Sequence, residues 1–210
     1  MIKNRKLKRG FYIKPTIEVA KNLLGKYLIH KFRNRKIVGK IVETEAYIGP
    51  QDKASHAHRG KITERNKAEY MIGGHIYIYL VYGMHWQLNI STANYGQPEC
   101  VLIRAVEPTV DIAKFQISNL KFKNDISKLK FIKNSTNGPG KLCKYLKLDK
   151  RHYGLDLAEN KEMWLEDRED KIKPSQIVAS RRIGIDYAGP YWAKRKWRFY
   201  INGNHFVSKL

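Results

Sequence analysis

Apolar residues recur along this chain in patterns that predict strands more often than helices. Ile37 to Tyr47 is rich in Ile and Val and reads as a strand, after which Gly49-Pro50 turns the chain. His75 to Tyr82, Trp86 to Thr92 and Cys100 to Val106 are further β-rich runs. Glu162 to Glu166, Pro174 to Ala179 and Arg198 to Ile201 are shorter ones. Helical segments are fewer. Thr16 to Leu24 has Thr16 placed to cap it, Glu18 near its start and Gly25 to stop it. Asp111 to Ser118 reads as a short helix, and Gly138-Pro139-Gly140 leads into another over Lys141 to Leu146. Gln51 to Lys67 is polar and reads as a loop ending in a helical turn, whereas Phe115 to Lys133 is Lys-rich and irregular. Strands and helices do not alternate in βαβ fashion. The expected class is α+β: a single domain with a curved, mainly antiparallel sheet, surrounding helices and a protruding β-hairpin.

The hairpin carries the most detail. In its first strand Tyr77 and Tyr79 share one face, while Ile76, Ile78 and Leu80 share the other. In its second strand Trp86, Leu88 and Ile90 are apolar, while Gln87, Asn89 and Ser91 are polar. A three-residue turn, Gly83-Met84-His85, pairs Leu80 with Leu88, Ile78 with Ile90 and Tyr79 with Asn89, giving one aliphatic face and one of tyrosine and amide. The aliphatic face is expected in the core. Tyr82 falls at the tip, on the same face as Trp86, where an aromatic ring suits a wedge between base pairs as well as a plain cross-strand contact.

Composition points the same way. Forty-one Lys and Arg against 19 Asp and Glu give a formal charge of +22, a surplus suited to a polyanion whose condensed counterions it displaces. A membrane surface is the main rival, weakened by the lack of a long apolar run or a basic amphipathic helix. Cys100 and Cys143 are far apart and form no Cys-x-x-Cys, so zinc ribbons, iron–sulfur clusters and disulfide scaffolds have no support. Residues 1–10 read as a basic N-terminal arm without the apolar stretch of a secretory signal, and residues 11–210 as the folded domain. A reducing, intracellular location is expected.

Glu43 and Glu45 close the strand that begins at Ile37 and share one of its faces. A carboxylate at a strand end, beside the Tyr47 ring, fits a general base that activates water. On these residues alone, a rim carboxylate paired with one of many lysines is the favoured reading. Arg104, near the end of another β-rich run, is placed to orient or balance it.

At these residues the chain resembles the alkyladenine (3-methyladenine) DNA glycosylase family. The resemblance rests on Val42-Glu43-Thr44-Glu45-Ala46-Tyr47-Ile48-Gly49-Pro50 followed by Asp52, His56, Thr63 and Arg65-Asn66. It continues through Tyr77 to Met84 and Asn89 to Ser91, then Val101 to Pro108, Gly138 to Leu142, Arg182 to Ile185 and Arg198 to Tyr200, from about Phe11 to Ser208. It implies that Glu45 activates the water, held also by Arg104 and the backbone carbonyl of Ile183. It implies that Tyr47 stacks on one face of an extruded base while His56 and Tyr79 cover the other, and that Asn89 excludes guanine by crowding its exocyclic amino group. Tyr82 would fill the gap left in the duplex, with Met84 and His85 in the minor groove and Lys61, Thr63 and Lys141 as further DNA contacts. Departures fall at His58-Arg59, Glu64, Gln87 and the Lys-rich stretch, and they bear on the range of lesions.

The implied reaction is excision of alkylated or deaminated purines (3-methyladenine, 7-methylguanine, hypoxanthine, ethenoadenine) from double-stranded DNA. Hydrolysis of the N-glycosidic bond would pass through an oxocarbenium-like sugar and leave an abasic site. No metal or cofactor is expected, no lysine is marked as a Schiff-base nucleophile, and the protein is expected to act as a monomer. The donor that would protonate a neutral leaving base is not assignable from the sequence. A helix–hairpin–helix glycosylase, suggested by Gly138-Pro139-Gly140, lacks support from the β-rich hairpin. A zinc deaminase lacks its Pro-Cys-x-x-Cys motif. A passive nucleic-acid module stacking bases on Tyr77 and Tyr79 would have no use for Glu45.

Overall fold

The computed structural model describes residues 5–109 and 134–209. Its longest element is β3, Arg35–Ile48, in which Ile37, Val38, Ile41, Val42 and Ala46 are all buried. Before it lie β1 (Arg5–Lys6), α1 (Arg9–Tyr12), α2 (Thr16–Asn22) and β2 (Tyr27–Phe32). After it come β4 (Ile76–Val81), β5 (His85–Ser91), β6 (Glu99–Pro108), α3 (Pro139–Tyr145), β7 (Met163–Asp167), β8 (Ile177–Ser180), α4 (Pro190–Ala193) and β9 (Arg198–Ile201). The strands form one antiparallel sheet in the order β1-β7-β2-β3-β6-β5-β4, with β9 joined to β3 and β8 to β9. The chain is a single α+β domain, as its pattern predicts.

β3 is the strand on which the sheet branches. β6 runs along one edge of it, from Gly39 opposite Pro108 to Ile48 opposite Glu99. Along the other edge, β2 pairs with residues 35–40 and β9 with residues 43–45. At the changeover the ladder to β6 slips: Ile41 faces Val106, Glu43 faces Ala105 and Thr44 faces Ile103. Such a bulge bends a strand and re-aims its side chains, and it lies at the two glutamates singled out above.

The aliphatic hairpin face enters the core. Ile76, Ile78, Leu88 and Ile90 join Ile103, Ala105, Leu142 and Leu146 in the main apolar cluster. α3 packs on β5 and β6, and α2 on β3. Pro139 opens α3, a position where its fixed φ is an advantage and its missing N–H costs nothing. A Cβ on Gly140 would meet the Cβ and ring of His85 at 3.1–3.2 Å, so glycine permits the close approach of α3 to the hairpin.

The hairpin register differs from expectation by two residues. The ladder pairs Val81 with His85, Leu80 with Trp86, Tyr79 with Gln87, Ile78 with Leu88 and Tyr77 with Asn89. The turn is therefore Tyr82-Gly83-Met84. Tyr82 (φ 51°) and Gly83 (φ 69°) are both left-handed, and Met84 N–H donates to the Val81 carbonyl at 3.1 Å. Two consecutive positive φ angles match the right-handed twist of the flanking strands, so the tight turn wins over a loop starting at Gly83. A shift of two preserves the faces, which are as expected.

Other expectations need correction. Thr16 does not cap α2: Pro15 occupies the cap without a side-chain bond, and Thr16 Oγ1 is engaged with Thr92 and Glu99. β2 was not foreseen, because His30 and Lys31 interrupt its short apolar run. His30 is nonetheless buried, its Nδ1 2.7 Å from the Leu146 carbonyl. The basic N-terminal stretch is part of the fold from Arg5 onward. Arg5 and Lys6 pair with Asp167 and Glu166, Leu7 is buried, and Arg9 ion-pairs with Asp156. The helix expected over Asp111 to Ser118 and the whole Lys-rich segment from Phe115 to Lys133 lie outside the described residues.

Ile103 sits fully buried in β6, directly before Arg104. Ile103→Ala should cost about 2–5 kcal/mol through lost transfer energy and the cavity left behind. Urea denaturation should show a lowered midpoint with an unchanged slope; an unaltered midpoint would mean the sheet centre is loosely packed.

Candidate active site

The polar hairpin face closes one side of a cavity of about 490 Å³, lined among others by Tyr47, His56, Tyr77, Tyr79, Asn89, Arg104 and Ile183. All the residues expected to form a base pocket are thus brought together from four separate segments. The Tyr77 and Tyr79 rings lie 5.1 Å apart at 34°, and His56 meets Tyr79 edge-on at 4.7 Å. His56 Nδ1 is 2.6 Å from the Tyr77 hydroxyl. Burial, helped by the nearby Arg65 cation, pushes the His56 pKa down to about 4, so its imidazole is neutral at neutral pH. Asn89 is buried, and its amide nitrogen donates to the carbonyls of Tyr77 (3.2 Å) and Gln87 (3.4 Å). Those two bonds fix which end of the amide is oxygen.

Behind this wall lies a buried charge array. Glu43 Oε1 accepts from Arg104 Nε (3.0 Å), Arg198 Nε (2.7 Å) and the Ser208 hydroxyl (2.9 Å), and Oε2 accepts from Ser208 N–H (2.6 Å). Glu45 Oε1 accepts from Ile183 N–H (2.8 Å) and lies 3.3 Å from Arg104 Nη1, while Oε2 accepts from the Tyr47 hydroxyl (2.9 Å). Both glutamates are fully buried. Neither sits on the rim, and among the described residues neither meets a lysine. Every partner of Glu45 is a donor, the pattern of an ionised carboxylate. Burial nevertheless raises its pKa, against the opposing pull of Arg104, Ile183 N–H and Tyr47. Burial alone would lower the Arg104 pKa, but Glu45 and Glu43 outweigh it and hold it above its usual value.

Ile183 meets Glu45 through its amide N–H. That amide is held in place by its neighbour. Arg182 pairs with Asp52 through two bonds (2.5 and 2.9 Å), both side chains fully buried, and donates to the Ala46 carbonyl at 3.0 Å. Its guanidinium also stacks over Tyr47 (4.7 Å) and Trp197 (5.0 Å). The pair therefore locks the ring and the amide that both bond to Glu45.

Tyr82 (88% exposed) and Met84 (69% exposed) project from the hairpin tip, and Tyr82 reaches the cavity mouth. In its left-handed turn Tyr82 belongs to neither strand face, contrary to the expected alignment with Trp86. His85, Lys61 and Lys141 are exposed. Lys141 Nζ donates to Asn137 (2.8 Å), and Thr63 donates through N–H and hydroxyl to Asn66 Oδ1 (2.7 and 2.9 Å). Sequence reasoning did not single out Tyr187, exposed at the cavity, nor Glu69, buried in its wall. Their signal was faint: one aromatic after Ile185-Asp186, and one acid in a polar stretch.

The profile of the family described as Methylpurine-DNA glycosylase (MPG) matches residues 10–205. The chain belongs to the methylpurine-DNA glycosylase family. Similar proteins carry the name "Putative 3-methyladenine DNA glycosylase". They include one from Clostridium tetani, 48% identical over 97% of this chain and 99% of its own length. Another, from Alkaliphilus oremlandii, is 45% identical over 97% and 99%. A third, from Borreliella burgdorferi, is 43% identical over 96% and 98%. This member is a DNA-repair glycosylase, and among its described residues no helix is long and apolar enough to cross a membrane.

Asp52→Ala would strand the Arg182 cation in the interior. Removing one partner of a fully buried pair should destabilise the fold by about 3–5 kcal/mol, read as a lowered urea midpoint. A loss below about 1 kcal/mol, the scale of an exposed pair, would show that Arg182 finds another partner and that the lock on Ile183 is dispensable.

Proposed function

We propose that this glycosylase extrudes a damaged purine from double-stranded DNA into the aromatic cavity and hydrolyses its N-glycosidic bond with a water activated by Glu45. The observation that carries this reading is a buried carboxylate fixed by Arg104, Ile183 N–H and Tyr47, three groups that themselves line the cavity. Substrates are alkylated or deaminated purines, among them 3-methyladenine, 7-methylguanine, hypoxanthine and ethenoadenine. The similar proteins bear a name for the first of these.

The base stacks on the face of Tyr47 that Arg182 leaves open, with His56 and Tyr79 across from it. As the bond to the sugar breaks, positive charge develops there, and the Glu45 carboxylate offsets it. Glu45 takes a proton from water, whose oxygen bonds to the sugar, and the Ile183 backbone carbonyl helps hold that water. Arg104 favours the ionised form of Glu45 against burial. Asn89, its amide fixed, crowds the exocyclic amino group of guanine. Nothing requires a cofactor, and no lysine serves as nucleophile, so an abasic site remains. The protein works as a monomer, inside the cell, on DNA. Lys61, Thr63 and Lys141 add contacts to the duplex, and the +22 charge makes its binding steeply salt-dependent.

Glu45→Gln tests the chemistry. Duplex binding should persist while single-turnover base release falls at least ~100-fold, the lower end for a positioned general base. Near-normal release would remove Glu45 from the mechanism. Tyr82→Ser tests extrusion. The exposed ring replaces stacking that the departing base gives up, worth ~1–3 kcal/mol, so the extruded fraction should fall by roughly one to two orders of magnitude. Ethenoadenine fluorescence in the lesion duplex reports it; a wild-type signal from bound Tyr82→Ser would exclude the wedge.

A further inference from the structure

Glu69 lies on the short helical turn Lys67–Tyr70, lines the same cavity and is 2% exposed. One of its oxygens, Oε1, accepts from the Cys100 thiol at 3.4 Å. The other, Oε2, is buried with no hydrogen-bond partner among the described residues. An unpartnered carboxylate oxygen in such a place is costly, whereas a protonated one needs only an acceptor. The mechanism above does not use this group.

The surroundings fix its protonation. Burial raises the Glu69 pKa to about 8, opposed by the Cys100 thiol and Asn66 and assisted by the negative charge of Asp52. Asn66 gives little relief, since its amide N–H groups go to the carbonyls of His56 (3.1 Å) and Lys61 (2.8 Å). The thiol stays protonated, because burial and Glu69 raise its own pKa. From β4, Tyr77 and Tyr79 face the cavity as neutral phenols, from β5 Asn89 as an amide, and from the preceding loops His56 and Arg65. Asp52 is committed to Arg182. On the same turn, Lys67 pairs outward with Glu64. Arg65, also at the cavity, stands over Tyr79 (5.0 Å) and donates to the Leu80 carbonyl (3.3 Å) rather than to Glu69. With Oε1 accepting from the thiol, the proton of the neutral acid resides on Oε2, the oxygen that has no partner.

We propose that Glu69 is a catalytic acid for neutral lesions, its Oε2–H protonating the purine as the base departs. This rests on the glycosylase reading above. As the N-glycosidic bond breaks, its electron pair goes to the base and the Glu69 proton to a ring nitrogen. Water bonds to the sugar carbon and gives a proton to Glu45. Glu69, now a carboxylate, is reprotonated from solvent once the base leaves. A purine already cationic, such as 7-methylguanine, leaves without this proton. Glu69 therefore matters only for the neutral class.

The test compares ethenoadenine, neutral, with 7-methylguanine, cationic, in duplex DNA under single-turnover conditions at neutral pH. Glu69→Gln keeps the shape and the bond from Cys100 but has no proton to transfer. It should lose at least ~100-fold on ethenoadenine and stay within about threefold on 7-methylguanine, given the usual worth of general acid catalysis. The cationic lesion also reports that the pocket is folded. The acid form exists below its pKa, so wild-type ethenoadenine release should fall as pH rises through about 8, and the variant should lack that limb. Equal loss on both lesions, or loss on neither, overturns the proposal. So does a Glu69→Gln protein that retains ethenoadenine release while Glu69→Leu loses it, since hydrogen bonding alone would then suffice. Wild-type release of 7-methylguanine without ethenoadenine overturns this inference and spares the glycosylase reading. Release of neither defeats both.

Discussion

Glu43 and Glu45 on β3, Arg104 on β6 and Arg198 on β9 place two negative and two positive charges in one buried patch of sheet. Burying ions is expensive unless each finds partners in good geometry. Here the charges cancel, and Ser208, Tyr47 and Ile183 supply the remaining donors. The branch in β3 makes the arrangement possible: the bulge beside Glu43 lets β9 bring Arg198 to one edge while β6 brings Arg104 along the other. Removing any member would leave another uncompensated. The array therefore fixes Glu45 more rigidly than a pair at the surface would.

The rest of the site follows from that anchor. β3 places Glu45 and Tyr47 on one face, and the Arg182–Asp52 pair brings the backbone of Ile183 against them. The hairpin turns its aliphatic face into the core and its tyrosines and Asn89 toward the cavity. One side of the sheet thus supplies stability and the other supplies chemistry. Between them Glu45 and Glu69 stand in contrasting environments. The first is surrounded by charged and polar donors that oppose the upward pull of burial on its pKa; the second has one thiol, one unpartnered oxygen and a pKa raised to about 8. A carboxyl ringed by donors that favour its anion and another that lacks them are what a reaction needing both a base and an acid requires.

The period-two pattern of the hairpin revealed its two faces, because burial on one side constrains every alternate residue. It did not reveal the register, since shifts of two leave the pattern unchanged and only the left-handed conformation of Tyr82 and Gly83 decides. The pairing of Glu43 and Glu45 on one face was legible as well. Their full burial was not, because Arg198 and Ser208 lie more than a hundred residues away in sequence. The Asp52–Arg182 lock spans 130 residues and the contact of Glu69 with Cys100 spans 31, and no local period reports either. β2 escaped notice because His30 is buried by a bond to the end of α3 rather than by its own hydropathy.

Glu45 must be ionised to act, and Arg104 favours that form against burial. Single-turnover base release as a function of pH, in wild type and Arg104→Gln, tests this directly. A group whose folded pKa is raised is in its basic form only above that pKa, so release should fall as pH drops and the acid limb should lie above the ordinary glutamate range. Without Arg104 the opposing pull is lost, and the limb should move to still higher pH in a protein that remains folded. An acid limb at the same pH in both proteins, or no acid limb at all, would contradict the account.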